Sequence, residues 1–170
     1  MSKSKITNEQ LLSELQAKFG DAILQSSQPY GMLNVYVPAD RTHEVVEFLQ
    51  KSETLKMNYL TNIAGIHYPE DKGKELVVVY QLHSLVNNIR MRVKATLPIE
   101  KPEVQTITDL YSGANWMERE TYDFFGIIFK GHPNLKKILN MEEQDYFPMR
   151  KEYPLEDPTR EDKDNRFFGR

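Results

Sequence analysis

Glu118, Glu120 and Asp123 fall within six positions of one another, and His132 follows nine residues later. Carboxylates near an imidazole are the ingredients of acid–base catalysis. One expectation to weigh is therefore a stand-alone enzyme that uses His132 with Glu118, Glu120 or Asp123. A plainer reading competes with it: a histidine in a Gly131-His132-Pro133 turn more often caps backbone groups than reacts. No phosphate-cradling glycine loop, nucleophile elbow or HExxH pair accompanies it, and the other histidines, His43, His67 and His83, are scattered. The chain has no cysteine. That excludes an ordinary iron–sulfur cluster held by this chain alone, a disulfide, a cysteine-type zinc site and a cysteine nucleophile.

The 170 residues suit one domain plus an extension or small satellite, and 39% hydrophobic against 28% charged residues allow a buried core in water. Twenty-two basic and 25 acidic side chains leave a net charge of −3 and a sequence pI near 5.8. Nucleic acid, which asks for a basic face, is not expected, and anionic lipid gains little from this balance. The start, Met1-Ser-Lys-Ser-Lys, lacks the apolar core of a secretory signal. The longest apolar runs, such as Leu76–Tyr80, fall far short of the roughly 20 residues that span a bilayer. A soluble protein is expected, held at any membrane by something else.

Regular elements must position the reactive segment. Thr7-Asn-Glu-Gln10 reads as a capping box before Leu11, Leu12, Leu15 and Phe19, with Gly20 as the stop. A strand is expected at about 22–27 and a clearer one at Met32–Val37. Pro38-Ala-Asp40 opens a helix over roughly 40–51, with Val45, Phe48 and Leu49 inward. A stretch around Met57–Tyr68 takes a strand's place. Glu75–Ser84 and Ile89–Leu97 then read as two long strands joined around Asn87-Asn88. Ile89, Met91, Val93, Ala95 and Leu97 share one face, and Arg90, Arg92, Lys94 and Thr96 the other, the alternation of a sheet with one wet side. The order α-β-β-α-β-β-β predicts an α+β fold: two layers, a mostly antiparallel sheet with helices on one face, plus an extended C-terminal tail. Beyond it the spacing suits a short helix at Gln105–Tyr111 and a second at Gly113–Phe125 capped by Gly126. A short strand at Ile127–Phe129, a turn and a last short helix at Leu135–Leu139 complete the expectation. Residues 1–110 are expected to form the core domain, 111–140 a module packed on it, and 141–170 a partner-binding tail too poor in apolar contacts to matter to the core.

On the 113–125 helix, Trp116, Arg119, Glu120 and Asp123 fall on one side at about 100° per residue, with Tyr122, Phe125 and Glu118 on the other. Arg119 and Asp123 are spaced i,i+4, so they can pair with each other, as in an ordinary amphipathic helix, or with a partner chain. The run Glu118-Arg-Glu-x-Tyr-Asp-x-Phe-Gly-Ile-x-Phe-x-Gly-His-Pro-x-Leu closely resembles the signature of the 30 kDa-type subunit family of respiratory complex I, the NADH:quinone oxidoreductase. Related subunits occur in plastid and archaeal complexes and in membrane-bound [NiFe] hydrogenases. Asp145-Tyr-Phe-Pro-Met-Arg-Lys-Glu-Tyr-Pro-Leu155 resembles the family's second element, usually Pro-Leu-Arg-Lys-Asp-Phe-Pro-Leu; Met149, Glu152 and Tyr153 are mild departures.

The resemblance implies a structural subunit in the hydrophilic arm of a proton-translocating NADH:quinone oxidoreductase, beside the hydrogenase-like quinone-site subunit. Flavin and iron–sulfur clusters would belong to other chains, with no cofactor, metal or catalytic residue here. The place implied is peripheral, on the cytoplasmic face of the bacterial inner membrane, with membrane contact only through the complex. The alternative is the equivalent subunit of an energy-converting hydrogenase. The expected partner interface comprises Trp116, Glu118, Arg119, Glu120, Asp123, His132, Tyr146, Arg150, Lys151 and Tyr153, with the helix and the Pro148–Leu155 strip as its two halves.

Overall fold

The computed structural model describes residues 6–154 and 159; Met1–Lys5, Leu155 and most of the tail beyond it lie outside the described residues. Helix α1 (Asn8–Phe19) starts on the expected capping box. The Thr7 hydroxyl accepts the Gln10 N–H (3.3 Å), and the Gln10 side chain accepts the Thr7 N–H (3.0 Å). Leu11, Leu15 and Phe19 recur at helical spacing and are buried. Helix α2 (Thr42–Lys51) begins after a 3₁₀ turn over Ala39–Arg41, because the Thr42 hydroxyl bonds the Pro38 carbonyl (3.0 Å); Val45, Val46 and Leu49 go inward.

Strands β1 (Gln25–Ser27), β2 (Leu33–Pro38), β3 (Tyr59–His67), β4 (Leu76–Ser84) and β5 (Ile89–Leu97) form one sheet in the order β1-β2-β5-β4-β3. Three neighbours pair antiparallel, and β2 and β5 pair parallel. Nine consecutive residue pairs, from Leu76↔Leu97 to Ser84↔Ile89, hold the β4–β5 hairpin. Its turn uses Asn88 at φ 51, while the Asn87 side chain donates to the Thr54 and Leu55 carbonyls (2.9 and 3.0 Å). Leu33, Val35 and Val37 join Leu76, Val78, Tyr80 and Leu82 and Met91, Val93, Ala95 and Leu97 on the face that α1 and α2 cover. Each such aliphatic side chain, fully buried, contributes roughly 1.5–3 kcal/mol.

Helix α3 (Ala114–Phe125) lies against β3 and ends on Gly126 at φ 74. Its approach depends on Gly65. A Cβ there would stand 2.4 Å from the Phe125 ring. Gly65→Ala is expected to cost about 1–3 kcal/mol by overpacking. Urea unfolding reads this as a lower midpoint at unchanged slope; an unshifted midpoint would mean that α3 does not rest on this edge.

Two expected helices are absent. Residues 103–105 form β6 (Glu103–Gln105), parallel to β7 (Ile128–Lys130), and the chain then turns at 108–110. The Thr106 N–H continues the ladder to the Lys130 carbonyl (3.0 Å), and the Thr108 N–H goes to the Thr106 hydroxyl (3.2 Å), so neither is free for a helix. Leu135–Leu139 is also irregular, because α3 side chains take its backbone groups. The apolar core runs past residue 110 through Tyr111, Ala114, Phe125, Ile127 and Phe129, further than the sequence reading placed it.

Candidate functional site

Arg119 and Asp123, one turn apart on α3, reach the segment that returns after the Gly131-His132-Pro133 turn. The Arg119 guanidinium donates to the Lys136 and Lys137 carbonyls (3.1 and 3.2 Å) and stacks 5.1 Å from the Trp116 ring. Oδ2 of Asp123 accepts the N–H groups of Ile138, Leu139 and Asn140 at 3.0, 2.8 and 3.0 Å, and Oδ1 accepts the Asn140 amide (3.0 Å). Three successive N–H groups turned toward one oxygen make an anion nest. Burial pushes the Asp123 carboxyl up, but the nest and the Asn140 amide outweigh it and hold it below the usual carboxylate range. The two charges thus do not pair with each other among the described residues: both bind their own chain's backbone. Held this way, the segment turns Leu139 (66% exposed) and Met141 (73%) outward, and Trp116 of α3 is exposed as well (61%).

Glu118 points the opposite way, into the core, and is fully buried. The Thr106 hydroxyl donates to Oε2 (2.6 Å) and the Ile107 N–H to Oε1 (2.8 Å), and no cation bonds it among the described residues. Desolvation pushes its carboxyl up to about 7, against those two hydrogen bonds. The buried Tyr80 hydroxyl, which has no partner among the described residues, is raised by its own burial and by Glu118. A fully buried Glu118 presents nothing to a partner surface.

His132 is spent on the turn. Its Nε2 donates to the Asn115 carbonyl at the start of α3 (3.1 Å), and its Nδ1 accepts the Asn134 N–H (3.0 Å). Neither nitrogen meets Glu118, Glu120 or Asp123, so the acid–base pair is not assembled. Glu120 is exposed beside a shallow groove between β3 and α3, lined by Asn62–Gly65, Phe124 and Met149.

The described tail, 141–154, folds back over the end of α3. The Met149 N–H bonds the Phe124 carbonyl (3.2 Å), Arg150 Nε donates to the Phe125 carbonyl (2.8 Å), and the Lys151 N–H goes to Nδ1 of His67 (3.0 Å). These carbonyls belong to the last turn of a helix, which has no partner for them within itself, and a cation there also suits the helix dipole. A Cβ on Gly126 would meet the Phe147 ring at 2.5 Å and Arg150 Nη2 at 2.8 Å. Tyr146 and Tyr153 stack on each other, 4.9 Å between ring centres. Arg150→Ala is expected to loosen this strap: trypsin should cut at Lys151 several-fold faster while α1–β5 stay folded. Equal cleavage rates in both chains would deny Arg150 that role. Asn140, Thr106 and His67 were not foreseen, and none of them lies within either motif.

Fold and site together define an α+β domain that uses its charged motif to shape a surface segment. The chain belongs to the family described as the respiratory-chain NADH dehydrogenase 30 kDa subunit, whose family model matches residues 35–159. It is 41% identical over 152 residues to an NADH-quinone oxidoreductase subunit of Roseiflexus sp. (strain RS-1), covering 88% of this chain and 86% of that one. The corresponding NADH-quinone oxidoreductase subunit of Geobacter metallireducens is 36% identical over 148 residues, 87% of this chain and 90% of that one. Among solved structures, a trypsin-resistant fragment of Nqo5 superposes with a TM-score of 0.64 at 34% identity, covering 75% of this chain and 98% of the fragment. A chain of the membrane-bound sulfane sulfur reductase, an archaeal respiratory complex, superposes at 0.71 with 24% identity over 86% and 85%, a likeness of fold alone. No helix among the described residues is long and apolar enough to cross a membrane.

Proposed function

We propose that this chain is a structural subunit of the hydrophilic arm of a proton-translocating NADH:quinone oxidoreductase, bound beside the quinone-site subunit. It supports the passage of electrons from NADH to quinone without holding a flavin or cluster itself, and it sits peripherally on the cytoplasmic face of the inner membrane. Family membership supports the complex, and the lack of cysteine supports the division of labour. The observation that carries the docking role is the use made of Arg119 and Asp123. Between them they take five backbone groups to hold a segment whose apolar side chains, Leu139 and Met141, then face solvent. A monomer gains nothing from ordering two exposed apolar side chains, whereas a partner's pocket does. Trp116, with Arg119 on its face, and the Tyr146–Tyr153 stack extend the same reading. Arg119 and Arg150 therefore act through the surface they shape rather than as direct anchors.

The test is assembly. Leu139→Asp with Met141→Asp is expected to leave thermal unfolding of the isolated chain within a few degrees of wild type. Its recovery with the partner subunits should fall at least tenfold, with NADH:quinone reductase activity falling in parallel. Normal assembly of this double variant would remove the segment from the interface. Absence of the wild-type chain from the purified complex would remove the reading altogether.

A further inference from the structure

The helices cover one face of the sheet; no described helix lies on the other. Alternation puts Asn34 and Tyr36 of β2, Arg90, Arg92 and Lys94 of β5, and Gln81 and His83 of β4 on that open face, opposite the core residues of the same strands. The three cations follow one another along a central strand. Successive side chains on one face of a strand stand roughly 7 Å apart.

Among the described residues these cations lack a counter-charge. Arg92 Nε reaches only the Gln81 amide oxygen (3.3 Å), and Lys94 Nζ only the Tyr36 hydroxyl (3.2 Å), 4.9 Å from that ring's centre. Among the described residues none of the three makes an ion pair, although Arg92 and Lys94 are half-buried. Lys and Arg lay their stems along apolar neighbours, as Lys94 can along the buried Val79 that pairs with it, and leave the charged head for solvent or a partner. Two polar atoms of the neighbouring strands are also left without a partner among the described residues. Asn34 is fully buried; its amide donates to the Met32 carbonyl (2.8 Å), but its Oδ1 accepts from nothing among the described residues. His83 Nε2 is likewise buried without a partner, its ring edge-on to Tyr59. At one end of the face the 69–74 turn, whose Lys72 and Lys74 balance Glu70 and Asp71, borders a groove of about 510 Å³. Asn34 Oδ1 and His83 Nε2 are both shut off from solvent, so what the face offers a partner is its row of cations, Arg90, Arg92 and Lys94, none of them paired among the described residues.

We propose that this open face, centred on Arg90, Arg92 and Lys94, is a second docking surface, which receives a carboxylate-bearing surface of a neighbouring subunit. The proposal rests on the chain being a subunit. Carboxylates about 7 Å apart, as on alternate residues of a strand, would meet the three cations in register. Complementary charge of this kind sets orientation and partner choice more than bulk affinity.

The experiment uses the assembled enzyme. With Arg90→Gln, Arg92→Gln and Lys94→Gln combined, the isolated chain should unfold within a few degrees of wild type, since no ion pair is lost. Its retention in the complex should fall at least tenfold, and wild-type retention should weaken as salt is raised. In the wild-type complex, Lys94 should be acylated at least tenfold more slowly than in the isolated chain, and a carbodiimide should join it to an Asp or Glu of another subunit. Retention of the triple variant equal to wild type at every salt concentration, with Lys94 equally reactive free and assembled, overturns the proposal. Protection of Lys94 by vesicles of anionic phospholipid but not by assembly overturns it too, in favour of lipid. A wild-type chain absent from the complex fails the subunit reading itself, a result distinct from either.

Discussion

Asp123→Ala is expected to release the 136–140 segment and to lower stability by on the order of 3 kcal/mol, because three backbone N–H groups and an amide lose a charged acceptor at once. The carboxylate sits near the C-terminal end of α3, where the helix dipole disfavours a negative charge, so its position depends on the nest formed by residues 138–140. Amide exchange at Ile138, Leu139 and Asn140 should quicken about a hundredfold, while exchange in β4 and β5 should change only as far as global stability does. Asp123→Asn keeps one acceptor oxygen and should fall between the two. The pH dependence has a definite sign. The folded carboxyl lies below its ordinary value, so its stabilisation is present above the unfolded value and is lost as pH falls through the folded one. Unchanged exchange at 138–140 in Asp123→Ala would show that the nest does not hold the segment.

Glu118 acts in the opposite direction. Its folded carboxyl titrates near 7 against an ordinary value of 4.5, so the folded chain holds a proton that the unfolded chain releases. Stability from this group is fully present below pH 4.5 and is lost as pH rises toward and through 7, by about 3 kcal/mol in all. The groups near it are the Thr106 hydroxyl, the Ile107 N–H, the buried Tyr80, and the His43–Asp109 pair (2.9 Å), of which Asp109 raises Glu118 and His43 lowers it. Glu118→Gln keeps the shape and has no proton to lose. Urea midpoints at pH 5 and pH 8 should therefore diverge for wild type and converge for Glu118→Gln, which should be the more stable chain at pH 8. Glu118→Ala, which orphans the Ile107 N–H and leaves a cavity, should lose on the order of 2–4 kcal/mol at either pH. The same pH slope in wild type and Glu118→Gln would show that the buried carboxyl is ionised throughout.

Both residues stand in one six-residue motif, and the sequence shows how unevenly a motif can be read. The helical wheel correctly set Glu118 apart from Arg119 and Asp123, on the side of Phe125. It could not show that this side is the core, since a carboxylate normally marks solvent. For Arg119 and Asp123 the wheel offered a pair with each other or with a partner chain, and the structure gives both of them backbone groups of their own chain instead of each other. The partners lie 15–18 residues further on, across the turn at Gly131–Pro133. His132 was legible, because a turn histidine flanked by Gly and Pro has backbone groups at hand.

Local chemistry by itself determined the elements whose signals are complete within a few residues: the Thr7–Gln10 box, the Gly126 cap, and the β4–β5 hairpin with its two faces. Period and capping depend on neighbours along the chain, so the sequence carries them directly. The same holds for the exclusions that follow from having no cysteine. Tertiary structure alone decided that β2 lies parallel to β5, that Gly65 admits Phe125, and that Leu135–Leu139 gives up helical bonds to Arg119 and Asp123. It also decided that Arg150 caps α3. Each of these depends on which distant groups the fold brings into contact, and a backbone N–H or carbonyl offers the same hydrogen bond whatever residue carries it, so no residue type in the sequence marks the partner in advance.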